Sequence, residues 1–416
     1  MLSWRQRVRD LEALVAKQQE IIEELTRRLN SYENPHTPSS KTHKKNTKRD
    51  ESKPRFPGKP KCGNGGGIEL PPPDKVEEHK LDACPDCDGE LNQTSMRKHT
   101  VIDLPKKPIE TVEHRIVQYY CNRCKKQVEP TTHLPDGIYG IHLQSMVVML
   151  KNLTNSHEKI ASLMRELGAP SFSAAQVQRI ADHFIEKLQP IRNTYLGMLR
   201  KSDFVNADET GFRKDGKNGY VWGVFTRSIA IFSAQMSRAR LHIEKILPSY
   251  KGVVVSDGYN AYDDFEMRQR CWAHLLREAK EYADNEEIDV QYKRLKMLYE
   301  HLKLLKAQPP DEAKIVAAKE QLNDIVTCLN TITEGRKLAT LIANGGDDWF
   351  TALYHQDVPL DNNHAERELR SVVLLRKTIG CYRNHKGKGW IDVVMSVIHT
   401  WKLQGLNVFK QLCAVD

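Results

Sequence analysis

At 416 residues the chain is too long for one ordinary core, and with 39% hydrophobic and 28% charged side chains it is composed like a globular protein, so two to four folded units are expected. It holds no apolar run near the roughly 20 residues that cross a bilayer, and its start, MLSWRQRVRDLEALV, lacks a signal-peptide core, which points to a cytoplasmic protein with no membrane partner. The net charge of +9 is concentrated: between Asn34 and Gly67 nine lysines and arginines face only Asp50 and Glu51, which fits either an anionic polymer partner or a solvated linker.

In chain order, residues 1–33 read as a coiled-coil helix. Trp4, Val8, Leu11, Val15, Gln18, Ile22, Leu25, Leu29 and Tyr32 alternate spacings of three and four, a heptad seam with one polar member. The basic tract of 34–69 follows as a flexible linker ending in CGNGGG, so the helix has no adjacent core and self-association, as a homodimer or higher homo-oligomer, is expected.

Residues 70–135 form a small unit with Cys84-x-x-Cys87 and Cys121-x-x-Cys124, separated by 33 residues. Two such knuckles complete a tetrahedral thiolate site, so a structural Zn²⁺ is expected there, with no catalytic part. TVEHRIVQYY alternates like a strand leading into the second pair. The other five cysteines are scattered and give no disulfide framework.

From 141 to 200 the pattern is helical. HEKIASLMRELG and SFSAAQVQRIADHF read as helix, glycine turn and second helix, a candidate helix-turn-helix with plain helical packing as the alternative. Strands begin at 203: DFVNADET, a hairpin in GYVWGVFTRSIAIFSAQ, a Ser-capped helix in SRARLHIEKIL, then the buried strand GVVVSDG. Residues 274–342 carry two apolar stripes, Leu295 to Leu305 and Ile315 to Ile332, broken at Pro309-Pro310, as a helical hairpin inserted into the sheet domain would. Residues 203–273 and 343–416 make up that domain.

Three acids stand where such a sheet could gather them. Asp208 closes the first strand, Asp257 follows the last, and Glu366 opens a helix in DNNHAERELR. Each has a bland reading: Asp is common at strand ends, and Glu366 could close a capping box with Asn363. Together they make an oxygen-rich site suited to Mg²⁺ or Mn²⁺, and two such ions about 4 Å apart serve phosphodiester chemistry. Arg370 and Lys377 lie four and eleven positions beyond Glu366, on its helix face, and with Arg367 and Arg376 they are expected to meet DNA phosphates. The asparagines before Glu366 are expected to cap the helix.

The motifs ADETGFR, SDGYNAYDDF, CWAHLLRE and VPLDNNHAERELR, behind a zipper-like start, a PGKP linker and a CPDC ribbon, resemble the insertion sequence 66 family of transposases over nearly the whole chain. That resemblance implies a multidomain α+β protein with a ribonuclease H-like catalytic domain interrupted by a helical insertion. It implies Asp208, Asp257 and Glu366 as the catalytic triad of a DDE transposase, holding two Mg²⁺ or Mn²⁺ ions, which cleaves DNA at its element ends and joins 3′-hydroxyls to target DNA. Element-encoded accessory proteins and a nucleoid location go with it. Cys271 and His274 match a Cys-x-x-His element of the family, either touching the substrate or packing a helix. The linker GKPKCGNGGG departs from the family's Gly-His pair, and the chain is somewhat short for the family. A zinc-ribbon regulator with inert acids and a structure-selective nuclease of the same fold are the rival readings.

Overall fold

The computed structural model of the chain describes residues 137–415 without a break and, before them, residues 72, 75, 76, 104, 105, 107–123, 126–128 and 130. The heptad helix, the basic linker and Cys84, Cys87 and Cys124 lie outside the described residues. The first regular structure is an antiparallel hairpin of β1 (Tyr119–Cys121) and β2 (Lys126–Val128). The strand expected over TVEHRIVQYY forms only in its last residues and runs on into Cys121; residues 111–118 have no described pairing partner.

Three helices follow: α1 (Ile141–Asn152), α2 (His157–Glu166) and α3 (Ala174–Leu199). Ser156 and Ser173 cap α2 and α3 by accepting backbone N–H bonds from Lys159 and Gln176. Gly168 turns the chain between them at φ 115°, a conformation that favours glycine. Val177, Ile180, Ala181, Phe184 and Leu188 of α3 recur at helical spacing and are all buried in one core.

The sheet consists of β3 (Phe204–Gly211), β5 (Tyr220–Phe225), β6 (Ala230–Gln235), β7 (Val253–Ser256) and β8 (Arg268–Arg270). Its order is β6-β5-β3-β7-β8, with β5 antiparallel to both neighbours and β7 and β8 parallel to β3. The fold is therefore mixed α/β. A short strand, β4 (Arg213–Lys214), extends the β3–β5 hairpin beyond the sheet. The tip turns through Asp215 and Gly216, both at positive φ, with Lys214 and Lys217 exchanging backbone bonds across it.

Alternation assigns the two sheet faces. Val205, Ala207, Trp222, Val224, Ile231 and Val254 pack on one side with α4 (Leu241–Ile246). Val221, Phe225 and Phe232 enter the core shared with α1–α3, while Val253 and Val255 enter the core of the helices that follow β8.

Two local expectations change. The Ser-capped helix of SRARLHIEKIL is shorter, starting at Leu241, because Arg238 is drawn off to a buried acid and Ser237 bonds the His242 ring instead of capping. Strand β8 was not evident because MRQRC is polar. Its Gln269 is nonetheless fully buried, bonding the Trp349 carbonyl and receiving the Ala352 N–H.

Four helices follow β8: α5 (Trp272–Glu281), α6 (Glu286–Lys306), α7 (Glu312–Thr331) and α8 (Arg336–Ala343). Both apolar stripes read from the sequence meet in their core, with Trp272, Leu275 and Trp349. A short α9 (Thr351–Tyr354) returns the chain to the sheet, and α10 (Asn363–Ile379) packs Ala365, Leu369, Val372 and Leu375 onto β3 and β5. The chain closes with β9 (Cys381–Tyr382), α11 (His385–Gly389), one π-helical stretch over Trp390–Met395, α12 (Ser396–Leu403) and α13 (Val408–Cys413). Among the described residues Cys271, Cys328, Cys381 and Cys413 are free thiols, and no helix is long and apolar enough to cross a membrane.

Candidate active site

Parallel pairing of Asn206 with Val255 brings the C-terminal ends of β3 and β7 level, so Asp208 and Asp257 leave neighbouring strands side by side. Carboxylate oxygens of Asp208, Glu209 and Asp257 lie within 4.8 Å of one another. Each aspartate has one oxygen occupied. Asp208 Oδ1 accepts the Glu209 N–H at 2.8 Å, and Asp257 Oδ1 accepts the Tyr259 N–H at 2.9 Å. Burial, then the negative charges of Glu209 and Asp257, hold the Asp208 carboxyl well above the usual carboxylate range, and Glu366 adds a further push.

The space around Asp208 depends on a glycine. Gly223 is its cross-strand partner on β5, and a Cβ there would come within 2.5 Å of the Phe225 ring and 3.0 Å of Leu369. Absence of a side chain thus lets α10 approach the sheet beside the acid.

Glu209 had not stood out in the sequence. Its side chain is 1% exposed and saturated: Arg238 Nε donates to Oε1 at 2.6 Å, and the Tyr262 hydroxyl donates to Oε2 at 2.7 Å. Arg238 also stacks over the Tyr259 ring at 3.7 Å and stands 4.0 Å from Asp257 Oδ2. The Glu209 carboxyl stays above its usual value: burial raises it most and Asp257 adds to this, while Tyr262 and Arg238 offset only part. The signal available in the sequence was only its place beside Asp208 in ADETG.

Glu366 lies in the first turn of α10 and stands outside the 4.8 Å group. Its Oε1 accepts from Arg277 Nη2 at 2.5 Å and lies 3.4 Å from His274 Nε2. His274 Nδ1 is buried with no partner among the described residues, and burial followed by the Arg277 charge lowers the ring's pKa. Cys271 is the residue before α5. Its buried Sγ receives the Asn362 N–H at 3.1 Å, and burial pushes the thiol up to about 11. The Cys-x-x-His element is therefore split: Cys271 packs and His274 faces the acids.

The asparagines do not cap α10 with their side chains. Asn362 occupies the cap position but is fully buried; its Nδ2 donates to the Ala207 carbonyl at 2.8 Å and its Oδ1 accepts from Asn206 at 2.9 Å. Asp361 instead accepts the Asn363 N–H. Side-chain capping lost to a polar clamp because burial leaves the β3 backbone carbonyl no water to bond. That clamp joins the start of the Glu366 helix to the strand just before Asp208.

The profile of the Transposase IS66 family matches residues 136–389, more than half the chain, and covers β3, β7, α5 to α8 and α10. The chain belongs to the IS66 transposase family. A relative in Sinorhizobium fredii (strain NBRC 101917 / NGR234), the uncharacterized protein y4hP, is 21% identical over 407 residues, covering 82% of this chain and 72% of its own length. Arg367, Arg370 and Lys377 are exposed along α10. Arg376 is not free in the same way, because its guanidinium donates to the Gly211 carbonyl at the end of β3.

Proposed function

We propose that the chain is a DDE transposase with a ribonuclease H-like catalytic domain, which binds the ends of its element, cleaves DNA there and joins the 3′-hydroxyls to target DNA. The observation that carries this reading is the convergence of Asp208 and Asp257 from two parallel strands, with Asp208 enclosed, crowded by like charge and without an ion pair among the described residues. Such a pair fits a hard divalent cation better than it fits any structural role. The sheet order, with β5 alone antiparallel, supports the fold assignment.

Asp208 and Asp257 would hold Mg²⁺ or Mn²⁺ through their remaining oxygens, and Glu366 would complete the set. A divalent cation there supplies the charge that activates an attacking oxygen and stabilises the leaving one. The protein's own part is positional. The Asn206–Asn362 clamp sets α10 against β3, the Glu209–Arg238 pair fixes the flank of Asp257, and His274 and Arg277 orient Glu366. Arg277 is 51% exposed, so it is placed to exchange Glu366 for a backbone phosphate. Arg367, Arg370 and Lys377 would meet phosphates further along α10.

Two units support this chemistry in the same reading. Cys121 ends β1, and the chain reverses into β2 at Lys126, a setting that suits the first ligand of a zinc knuckle. Cys84, Cys87, Cys121 and Cys124 would bind one structural Zn²⁺, measurable as one equivalent by metal analysis. The helix of residues 1–33 would pair two copies, since both element ends must be held together, and removing it should lower the oligomeric state on sizing. The function is tested by Mg²⁺-dependent cleavage and strand transfer on end-containing DNA. Cleavage without joining points to a nuclease, and binding without cleavage points to a regulator.

A further inference from the structure

Two stretches far apart in the sequence meet at the end of the β3–β5 hairpin. β4 pairs in parallel with β9, Arg213 opposite Cys381 and Lys214 opposite Tyr382, and the Asp215 N–H donates to the Tyr382 carbonyl at 2.9 Å. The stretches are GFRKDGKNG (211–219) and GCYRNHKGKG (380–389), and together they hold six lysines and arginines against the single acid Asp215.

The junction is built rather than loose. Phe212 and Tyr382 are both buried, with ring centroids 5.6 Å apart. Gly387 lies so close to Tyr382 that a Cβ would meet the Tyr382 Cβ at 2.5 Å. Asn384 accepts the Gly387 N–H and so fixes the second stretch.

Two of the six cations are neutralised within the fold, Lys386 by Asp182 and Lys388 by Asp392. Arg213, Lys217 and Arg383 are exposed and Lys214 is partly exposed, and none of these four forms an ion pair among the described residues. Like charges held together on a rigid ribbon repel one another until an anion arrives. The ribbon also lies beyond the ends of β3 and α10, the elements that carry Asp208 and Glu366. Six residues of extended chain separate Lys214 from Asp208, about 20 Å.

The geometry points to this β4–β9 ribbon as a duplex DNA backbone site, gripping phosphates to one side of the candidate active site. The inference rests on the transposase reading and adds where the duplex is held. The site takes phosphates regardless of base sequence, because it offers flexible cations and no preformed base-reading element.

The test measures affinity of the full chain for a fluorescent random-sequence duplex in EDTA, over a series of salt concentrations. The variant R213Q/K217Q/R383Q should lower the slope of log K against log salt by about 0.9 for each cation removed, about 2.7 in all. An unchanged slope and affinity would overturn the ribbon while leaving the transposase reading intact, provided that the parent chain binds and cuts. A parent chain that binds no duplex would sink both. If the triple variant does not fold, Arg383→Gln alone decides, with a slope change of about 0.9 expected.

Discussion

Asp208 and Glu209 are consecutive on β3 and their carboxylates come within 4.8 Å of each other, yet their partners are of opposite character. Glu209 is saturated: a guanidinium and a phenol occupy both its oxygens in a nearly dry pocket. Asp208 is enclosed as well, yet it has only one backbone N–H and two further carboxylates close by. A satisfied buried acid holds structure together; an unsatisfied one stores a need for a cation. The same strand therefore carries a positioning acid and a candidate metal ligand one residue apart.

The largest expected effect comes from Asp208→Asn. Metal-dependent cleavage should fall by more than about a hundredfold, beyond the range that residues supporting a ligand from outside usually reach. Thermal unfolding separates the two acids by sign. Glu209→Gln should destabilise the protein by about 1.5–3 kcal/mol, the worth of hydrogen bonds to a charged group. Asp208→Asn should raise the metal-free melting temperature, because it removes a carboxylate from a like-charged, desolvated site. Destabilisation by both substitutions would break the contrast.

Next in size, Asn362→Ala should cost about 1–3 kcal/mol, since it orphans the Ala207 carbonyl and the Asn206 amide together. Its cleavage rate should drop as well, whereas a purely structural clamp would spare the rate at temperatures where the variant stays folded. Arg277→Ala should tighten Mn²⁺ binding to the DNA-free protein by at most about fivefold, because a half-exposed ion pair that competes with the cation is worth roughly 0.2–1 kcal/mol.

The remaining effect is in pH. The folded-state pKa of Asp208 lies above its unfolded value, raised by burial and then by Glu209 and Asp257. Between those two values the native chain keeps a proton that the unfolded chain has released. Metal-free stability should therefore fall as pH rises through that window, then level off above the folded pKa. Added Mg²⁺ should flatten the fall, and Asp208→Asn should abolish the Asp208 part of it.

The legible parts of this molecule were those written in local patterns. Apolar runs ending in acids gave β3 and β7 with Asp208 and Asp257, and the stripes Leu295 to Leu305 and Ile315 to Ile332 gave the helices α6 and α7. What stayed hidden depends on partners distant in the chain. Arg238 and Tyr262 lie 29 and 53 residues from Glu209, and Asn206 lies 156 residues from Asn362. The polar strand β8 and the β4–β9 ribbon were hidden for the same reason, since neither has an apolar period of its own. Asn362 misled because a residue at a cap position need not cap when a buried carbonyl competes for it.

The most direct measurement is a calorimetric Mn²⁺ titration of the full chain beside Asp208→Asn, with both proteins equilibrated against the same trace of Zn²⁺. The account predicts saturable binding by the parent and loss of that binding in the variant, with Glu209→Gln still binding. Equal Mn²⁺ binding by Asp208→Asn would contradict it.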